Sequence, residues 1–131
     1  MSINHNRARP VYINLLPIKL PISAISSITH RLAGIYIFFV TLPLSLFLLY
    51  FSTKSYNDFM FISALLKDSI LFSTFVSFSF LVFAYHILTG VRHLLQDMHI
   101  GESLEASRVS SYIVFFLWSV LVAAVIWRIL L

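Results

Sequence analysis

The sequence predicts an all-α integral membrane protein, a bundle of three transmembrane helices with a short irregular N-terminal arm. The first observation is composition: 60% of the 131 residues are hydrophobic and only 11% are charged, whereas soluble domains carry about 25% charged residues. The second is that the apolar residues fall into three long runs, and about 20 such residues can cross a bilayer as a helix. A water-soluble domain of this size could not bury so much apolar surface. We therefore expect one membrane domain over residues 1–131.

Charge and cysteine content exclude several classes of protein. The chain contains no cysteine, which excludes disulfides, thiolate ligands and cysteine-held clusters. The net charge of +4 comes with few basic clusters and indicates membrane orientation rather than nucleic-acid binding. We expect no cleaved signal peptide, because the first apolar run begins beyond residue 20 and is too long for one.

Residues 1–21 are predicted to form the N-terminal arm, near the membrane surface. This segment holds basic residues and no acidic residue. Its prolines oppose a continuous helix; they are Pro10, Pro17 and Pro21.

The first span is predicted at approximately residues 22–51, and Pro43 within it predicts a kink. Its N-terminal end is unusually polar for a membrane helix. Ser27 and Arg31 are four residues apart and share a face, while His30 lies about 60° around the helix from Ser27. This end of the helix is therefore a candidate site.

The second span is predicted at approximately residues 69–95, after a connection over 52–69 that we expect to be a solvated loop and a helix start. It contains His86 and His93, which are seven residues apart and therefore only about 20° out of register on a helix. Gly90 lies between them on the same face. An ionisable group inside a membrane helix indicates a functional site.

The third span is predicted at approximately residues 112–131, after a polar loop over 96–111. Orientation follows from the cations, because the side that retains more lysine and arginine is the inside. Six cations belong to the N-terminal segment, the 96–111 loop and the adjoining helix ends, against three on the opposite side. We therefore expect the N-terminus on the cytoplasmic or matrix side.

This topology brings the polar motifs to one depth, because the first helix begins on the side where the second helix ends. The converging residues are Ser27, His30, Arg31, His86, Arg92 and His93. A neutral imidazole in a dry helical bundle is typical of an axial haem ligand, which suits His86. Gly90 could make room for the macrocycle, and the basic groups nearer the surface suit its propionates.

Other chemistries fit less well or involve other residues. Zinc is disfavoured because it needs three or four ligands and the chain offers few near His86. Ser27 and Arg31 present a hydroxyl and a cation on one face, which suits a quinone carbonyl and the negative charge it gains on reduction.

Structural alternatives stay open at this level. An intramembrane histidine can simply join two helices, and Arg31 and Arg92 can be interfacial cations. His5 and His99 read as solvated histidines. A haem-free structural anchor and a transporter or channel subunit are alternative functions. The transporter is disfavoured because the polar residues cluster at one end instead of following a path across the bilayer.

Three motifs in order give the chain a resemblance to a known family. They are Arg9-Pro10, Ser27-x-x-His30-Arg31, and His86-x-x-x-Gly90-Val91-Arg92-His93 followed by Asp97. With these motifs the chain resembles the cytochrome b556 subunits of succinate dehydrogenase, the larger of the two membrane anchors of complex II. The similarity covers nearly the whole length.

The resemblance implies roles for individual residues. His86 would be one axial ligand of a haem b, and a histidine of the smaller anchor subunit would be the other. His30, Arg31 and His93 would lie near the haem propionates or at the rim of the pocket. Ser27 and Arg31 would contact ubiquinone, the substrate.

The resemblance also implies partners and location. An iron–sulfur subunit and a flavoprotein subunit would deliver electrons from succinate, so the chain would not be catalytic alone. The complex would lie in a bacterial or mitochondrial inner membrane. The nearest alternative is an anchor of the fumarate reductase type, which oxidises quinol.

Overall fold

The structure, a computed structural model, describes residues 19–130. Its helices are α1 (Ile22–Tyr36), α2 (Leu42–Lys54), α3 (Tyr56–Asp68), α4 (Ile70–Asp97) and α5 (Leu104–Leu130). A π-helical turn, Ile37–Thr41, joins α1 to α2 without a break. The described residues contain no strand. Residues 1–18 of the predicted arm, including Arg9-Pro10 and His5, lie outside this range, so the predictions about them stay predictions.

Three continuous helical segments are long and apolar enough to cross a membrane: Ile22–Lys54, Ile70–Asp97 and Leu104–Leu130. The predicted all-α class and the three spans are therefore confirmed. The third helix begins earlier than the predicted span, at Leu104. Most large apolar side chains face outward and only a small set is buried, which is the distribution expected for a surface that contacts lipid or other membrane helices.

The connection between the first two spans differs from the prediction. Residues 52–69 were expected to form a loop and a helix start, but α3 occupies most of this stretch. Ser55 caps the helix, since its Oγ accepts a hydrogen bond from the Asp58 backbone N–H at 3.1 Å, and Asp58 lies favourably in the first turn. Ile62 is buried and fixes the helix to its neighbours. The loop prediction was wrong because the charged residues at both ends of α3 concealed its apolar middle.

Pro43 disturbs the first span at the predicted place. Proline cannot donate the backbone hydrogen bond of a regular helix and clashes with the carbonyl four residues earlier, here that of Phe39. Phe39 lies within the π-helical turn. The chain therefore accommodates Pro43 by a local change of helix type rather than by ending the helix.

The long helix α4 packs against both α1 and α5. Hydroxyl groups join α4 to α1, with Thr29 Oγ1 at 2.5 Å from the Tyr85 hydroxyl. The Trp118 indole on α5 donates to the Leu81 carbonyl of α4 at 3.0 Å. At one end of the bundle α1 begins, α4 ends and α5 begins. We call this the N-terminal end of the bundle. This arrangement holds the candidate residues of α1 and α4 at that end.

Candidate functional site

Three of the predicted residues meet between α1 and α4, and we call them the histidine cluster: His30, His86 and His93. The rings of His30 and His86 stack, with centroids 4.1 Å apart and planes 9° from parallel. The ring of His93 is tilted by 50° against His30, with centroids 5.0 Å apart. The predicted convergence of the two helices at this end is therefore confirmed. It arises because His86 and His93 share a face of α4 and that face contacts α1.

His86 is oriented by a backbone group of the opposite helix. Its Nδ1 lies 3.2 Å from the carbonyl oxygen of His30. A carbonyl can only accept, so this contact is a hydrogen bond when Nδ1 carries the proton. In the neutral ring, Nε2 then keeps its lone pair free to bind a metal. A hydrogen bond from the second ring nitrogen to a carbonyl is the usual way in which proteins orient a metal-binding histidine.

Gly34 makes room for the His86 ring. A Cβ atom at position 34 would lie 3.2 Å from Cε1 of His86, which is closer than ordinary carbon contacts. Sequence reasoning missed this residue. Its position one turn after His30, on the same side of α1, is the signal that could have found it.

Gly90 does not face the open space that the sequence suggested. A Cβ atom there would lie 3.5 Å from Nε2 of His30, so the imidazole of His30 occupies the room beside this glycine. That Gly90 leaves space for a macrocycle stays a prediction.

His30 carries an unpartnered atom. Its Nε2 is buried and makes no hydrogen bond within residues 19–130. Buried polar atoms are almost always paired, because an unpaired one costs about 1–3 kcal/mol. A group outside the described chain is therefore expected to complete the surroundings of His30.

Arg92 belongs to a different face of α4. Its Nη2 donates to the Ser107 carbonyl at 3.1 Å and to Ser107 Oγ at 2.8 Å, and its Nε donates to Ser110 Oγ at 3.0 Å. The side chain is only 5% exposed. The predictions that Arg92 lies with the haem-facing groups, or extends to the interface, were both wrong. Six residues after His86 place it about 120° around the helix, towards α5.

Ser27 and Arg31 lie on the α1 face beside the histidine cluster. Ser27 is half-buried and Arg31 is exposed. Neither side chain bonds to another group within the described part of the chain. Both therefore have free donors for a ligand or a partner chain.

The histidine cluster is not arranged as a chelate. Stacked rings present their faces to each other, and among the described residues no group of three or more His, Asp or Glu side chains is placed to hold a metal ion. The contact of His86 Nδ1 with the His30 carbonyl leaves Nε2 of His86 to bind a metal. A metal centre here would need further ligands from outside residues 19–130.

Comparison with known proteins gives the family. Residues 5–125 match the model of the "Succinate dehydrogenase/Fumarate reductase transmembrane subunit" family. The chain is 34% identical to a succinate dehydrogenase cytochrome b556 subunit of Coxiella burnetii, over 93% of this chain and 99% of that protein. It is 33% identical to a cytochrome b560 subunit of the same enzyme from Porphyra purpurea, over 78% of this chain and 82% of that protein.

A further relative, the cytochrome b556 subunit of Rickettsia bellii, is 30% identical over 94% of this chain and 90% of that protein. The resemblance inferred from three short motifs is thereby confirmed. With its three apolar helices, the chain is a multi-pass membrane protein, and it belongs to the family of transmembrane subunits of succinate dehydrogenase and fumarate reductase.

Proposed function

We propose that the chain is the membrane-anchor cytochrome b subunit of a succinate:ubiquinone oxidoreductase. It binds one haem b jointly with a second, smaller anchor subunit and forms part of the site where ubiquinone is reduced. One observation carries the proposal: His86, inside a membrane helix, is oriented through Nδ1 by the His30 carbonyl, which leaves Nε2 as a ligand. The cytochrome names of the relatives support it.

The residues around His86 fit a haem. Gly34 leaves the space that the His86 ring needs. The unpartnered Nε2 of His30 matches a propionate oxygen, and Arg31 adds a positive charge on the same side. His93 adds a further ring nitrogen beside His30. When bound, haem b supplies a one-electron carrier. The apolar helices around His86 keep water away from the site.

The second axial ligand is proposed to come from the smaller anchor subunit. The rings of His30 and His86 stack with centroids only 4.1 Å apart, an arrangement in which His30 would not be a second ligand of an iron held by His86. A histidine on a helix of the smaller subunit would supply that ligand.

The quinone site is proposed to use Ser27 and Arg31. Both can donate hydrogen bonds to a carbonyl oxygen of ubiquinone, and the Arg31 cation favours the negative charge that develops on reduction. Arg31 is exposed and Ser27 half-buried, so neither closes the pocket alone. The iron–sulfur subunit and the smaller anchor would supply the other walls.

The excess of cations at the N-terminal end supports its location on the cytoplasmic or matrix side of an inner membrane. There the iron–sulfur and flavoprotein subunits would dock and deliver electrons from succinate. The chain is therefore an electron-transfer and anchoring subunit, not a catalyst alone.

Difference spectroscopy tests the proposal. The purified complex should show a b-type haem band in its reduced-minus-oxidised spectrum. His86→Ala should lose or strongly alter this band, whereas His99→Ala, at an exposed histidine, should not. A wild-type complex without a haem band would leave only a haem-free structural anchor.

A fumarate reductase anchor is the second candidate, because the matching family includes both enzymes. The two differ in direction and in the quinone they use. Faster succinate oxidation with ubiquinone than fumarate reduction with menaquinol would support the first candidate, and the reverse ratio would support the second.

A further inference from the structure

A buried cation lies on the face of α4 that is turned away from the histidine cluster. Arg92 is 5% exposed, and its three hydrogen bonds go to neutral oxygens of Ser107 and Ser110. Within residues 19–130 it takes part in no ion pair, and its three hydrogen bonds use Nε and Nη2 but not Nη1. A buried charge normally needs a counter-charge. One is therefore expected from outside the described chain.

The chain's own carboxylate nearest in sequence to Arg92 is poorly placed to supply it. Asp97 lies about 20° around α4 from His86, on the face of the histidine cluster, whereas Arg92 lies about 120° away from His86 in the other direction. The counter-charge has to reach Arg92 from the α5 side.

A groove between α4 and α5 opens beside Arg92 and has a volume of about 480 Å³. Its polar lining residues, Arg92, Gln96 and Ser110, lie towards the N-terminal end of the bundle. Towards the middle of the bundle the lining is apolar, with Leu88, Ile113 and Leu117. Arg92 lies roughly 7.5 Å along the axis from the end of α4, close to the depth of lipid headgroups. The polar end of the groove matches the headgroup of a phospholipid, and its apolar part matches an acyl chain.

We propose that this groove binds one anionic phospholipid. A phosphate oxygen accepts a hydrogen bond from Nη1 of Arg92 and supplies the missing counter-charge, while an acyl chain lies along the apolar part of the groove. Charge complementarity favours an anionic headgroup, because a zwitterionic lipid carries a cation that would approach Arg92 as well. The site is separate from the proposed haem and quinone sites and does not depend on them.

Native mass spectrometry of the intact detergent-purified complex tests the proposal. The complex is incubated with equimolar phosphatidylglycerol and phosphatidylcholine, and the retained lipids are counted. Val109→Trp places a bulky side chain in the groove and leaves residue 92 unchanged, since Val109 lines the groove and is 51% exposed. Ile126→Trp is the matched control, because Ile126 is 50% exposed and lies on another face of α5. Arg92→Gln removes the charge.

The wild type and Ile126→Trp should retain one phosphatidylglycerol that Val109→Trp loses. Arg92→Gln should lower the preference for phosphatidylglycerol over phosphatidylcholine about tenfold, the usual value of a charge-assisted hydrogen bond.

Equal retention by the wild type and Val109→Trp would overturn the proposal, as would no preference for the anionic lipid in the wild type. Displacement of phosphatidylglycerol by inorganic phosphate would indicate a free-anion site and would overturn it too. Haem content is measured separately, so failure here leaves the proposed function intact.

Discussion

At the scale of single residues, the site depends on close packing around the imidazole rings of His30 and His86. The spacing of His86 and His93 and the antiparallel course of two helices predicted that these residues would meet His30. The sequence could not predict which ring atom of His86 meets a carbonyl, nor that Gly34 faces it. Both depend on how α1 is rotated against α4, which is set by tertiary packing such as the Thr29–Tyr85 contact.

Gly34→Ala should disturb His86 more than Gly90→Ala does. The new Cβ at 34 would meet the His86 ring at 3.2 Å, whereas the one at 90 would meet His30 at an ordinary 3.5 Å. Alanine favours helices over glycine by about 1 kcal/mol at both positions, so folding should not suffer. Haem retained per purified complex should fall for Gly34→Ala and stay near wild type for Gly90→Ala. The opposite order would contradict the assigned role of Gly34.

Arg31→Ala should slow quinone reduction and spare succinate oxidation. Loss of one charge-assisted donor at a developing negative charge should cost about 1.5–3 kcal/mol, or roughly ten- to hundredfold in turnover. Succinate–ubiquinone activity is compared with succinate oxidation by an artificial dye that bypasses the membrane subunits. Lys54→Ala, at an exposed cation at the opposite end of the bundle, is the control. Equal loss of both activities in Arg31→Ala would remove its quinone role.

At the scale of helices, the bundle is joined by a few polar contacts between apolar surfaces. Hydrophobic length and composition were enough to predict three spans, since crossing a bilayer requires about 20 apolar residues. They were not enough to predict α3, whose start depends on the Ser55 cap. Length and composition also gave the wrong position for Arg92. A cation near a helix end is typical of an interfacial anchor, and only the structure shows that Arg92 bonds to serines of α5.

Ser107→Ala should weaken the contact between α4 and α5. The variant removes an acceptor 2.8 Å from Arg92 Nη2 but leaves the Ser107 carbonyl bond. Hydrogen bonds between membrane helices contribute about 0.6 kcal/mol on average and at most about 1.7, so a loss in this range is expected. Ser119→Ala is the control, because Ser119 bonds only to its own helix, at the Phe115 carbonyl. Thermal unfolding of the purified complex measures both, and equal stabilities would contradict this contribution.

At the scale of the whole molecule, the described chain has a thin core and a wide apolar surface. Three of its buried residues, Ala33, Tyr85 and Val114, form one small cluster where α1, α4 and α5 meet. Within residues 19–130, three features call for a group from elsewhere: the unpartnered His30 nitrogen, Arg92 without a counter-charge, and His86, whose Nδ1 contacts a carbonyl and whose Nε2 is proposed to bind the haem. All three indicate that the chain functions as part of an assembly.

The chain produced without the smaller anchor subunit should therefore hold little haem. His86 would remain as a ligand, but the second ligand and the haem contacts proposed for the smaller subunit would be missing. Haem b per chain in membranes is compared between single expression and co-expression of the anchor subunits. Full haem content in the chain alone would contradict a shared site.

The most direct measurement of the central claim is the spin state of the oxidised haem. Two imidazole ligands give a low-spin iron, visible by low-temperature electron paramagnetic resonance. The wild-type complex, His30→Ala and His93→Ala should all be low-spin. His86→Ala should become high-spin and return to low-spin when free imidazole is added. A His86→Ala complex that stays low-spin without added imidazole would show that His86 is not a ligand.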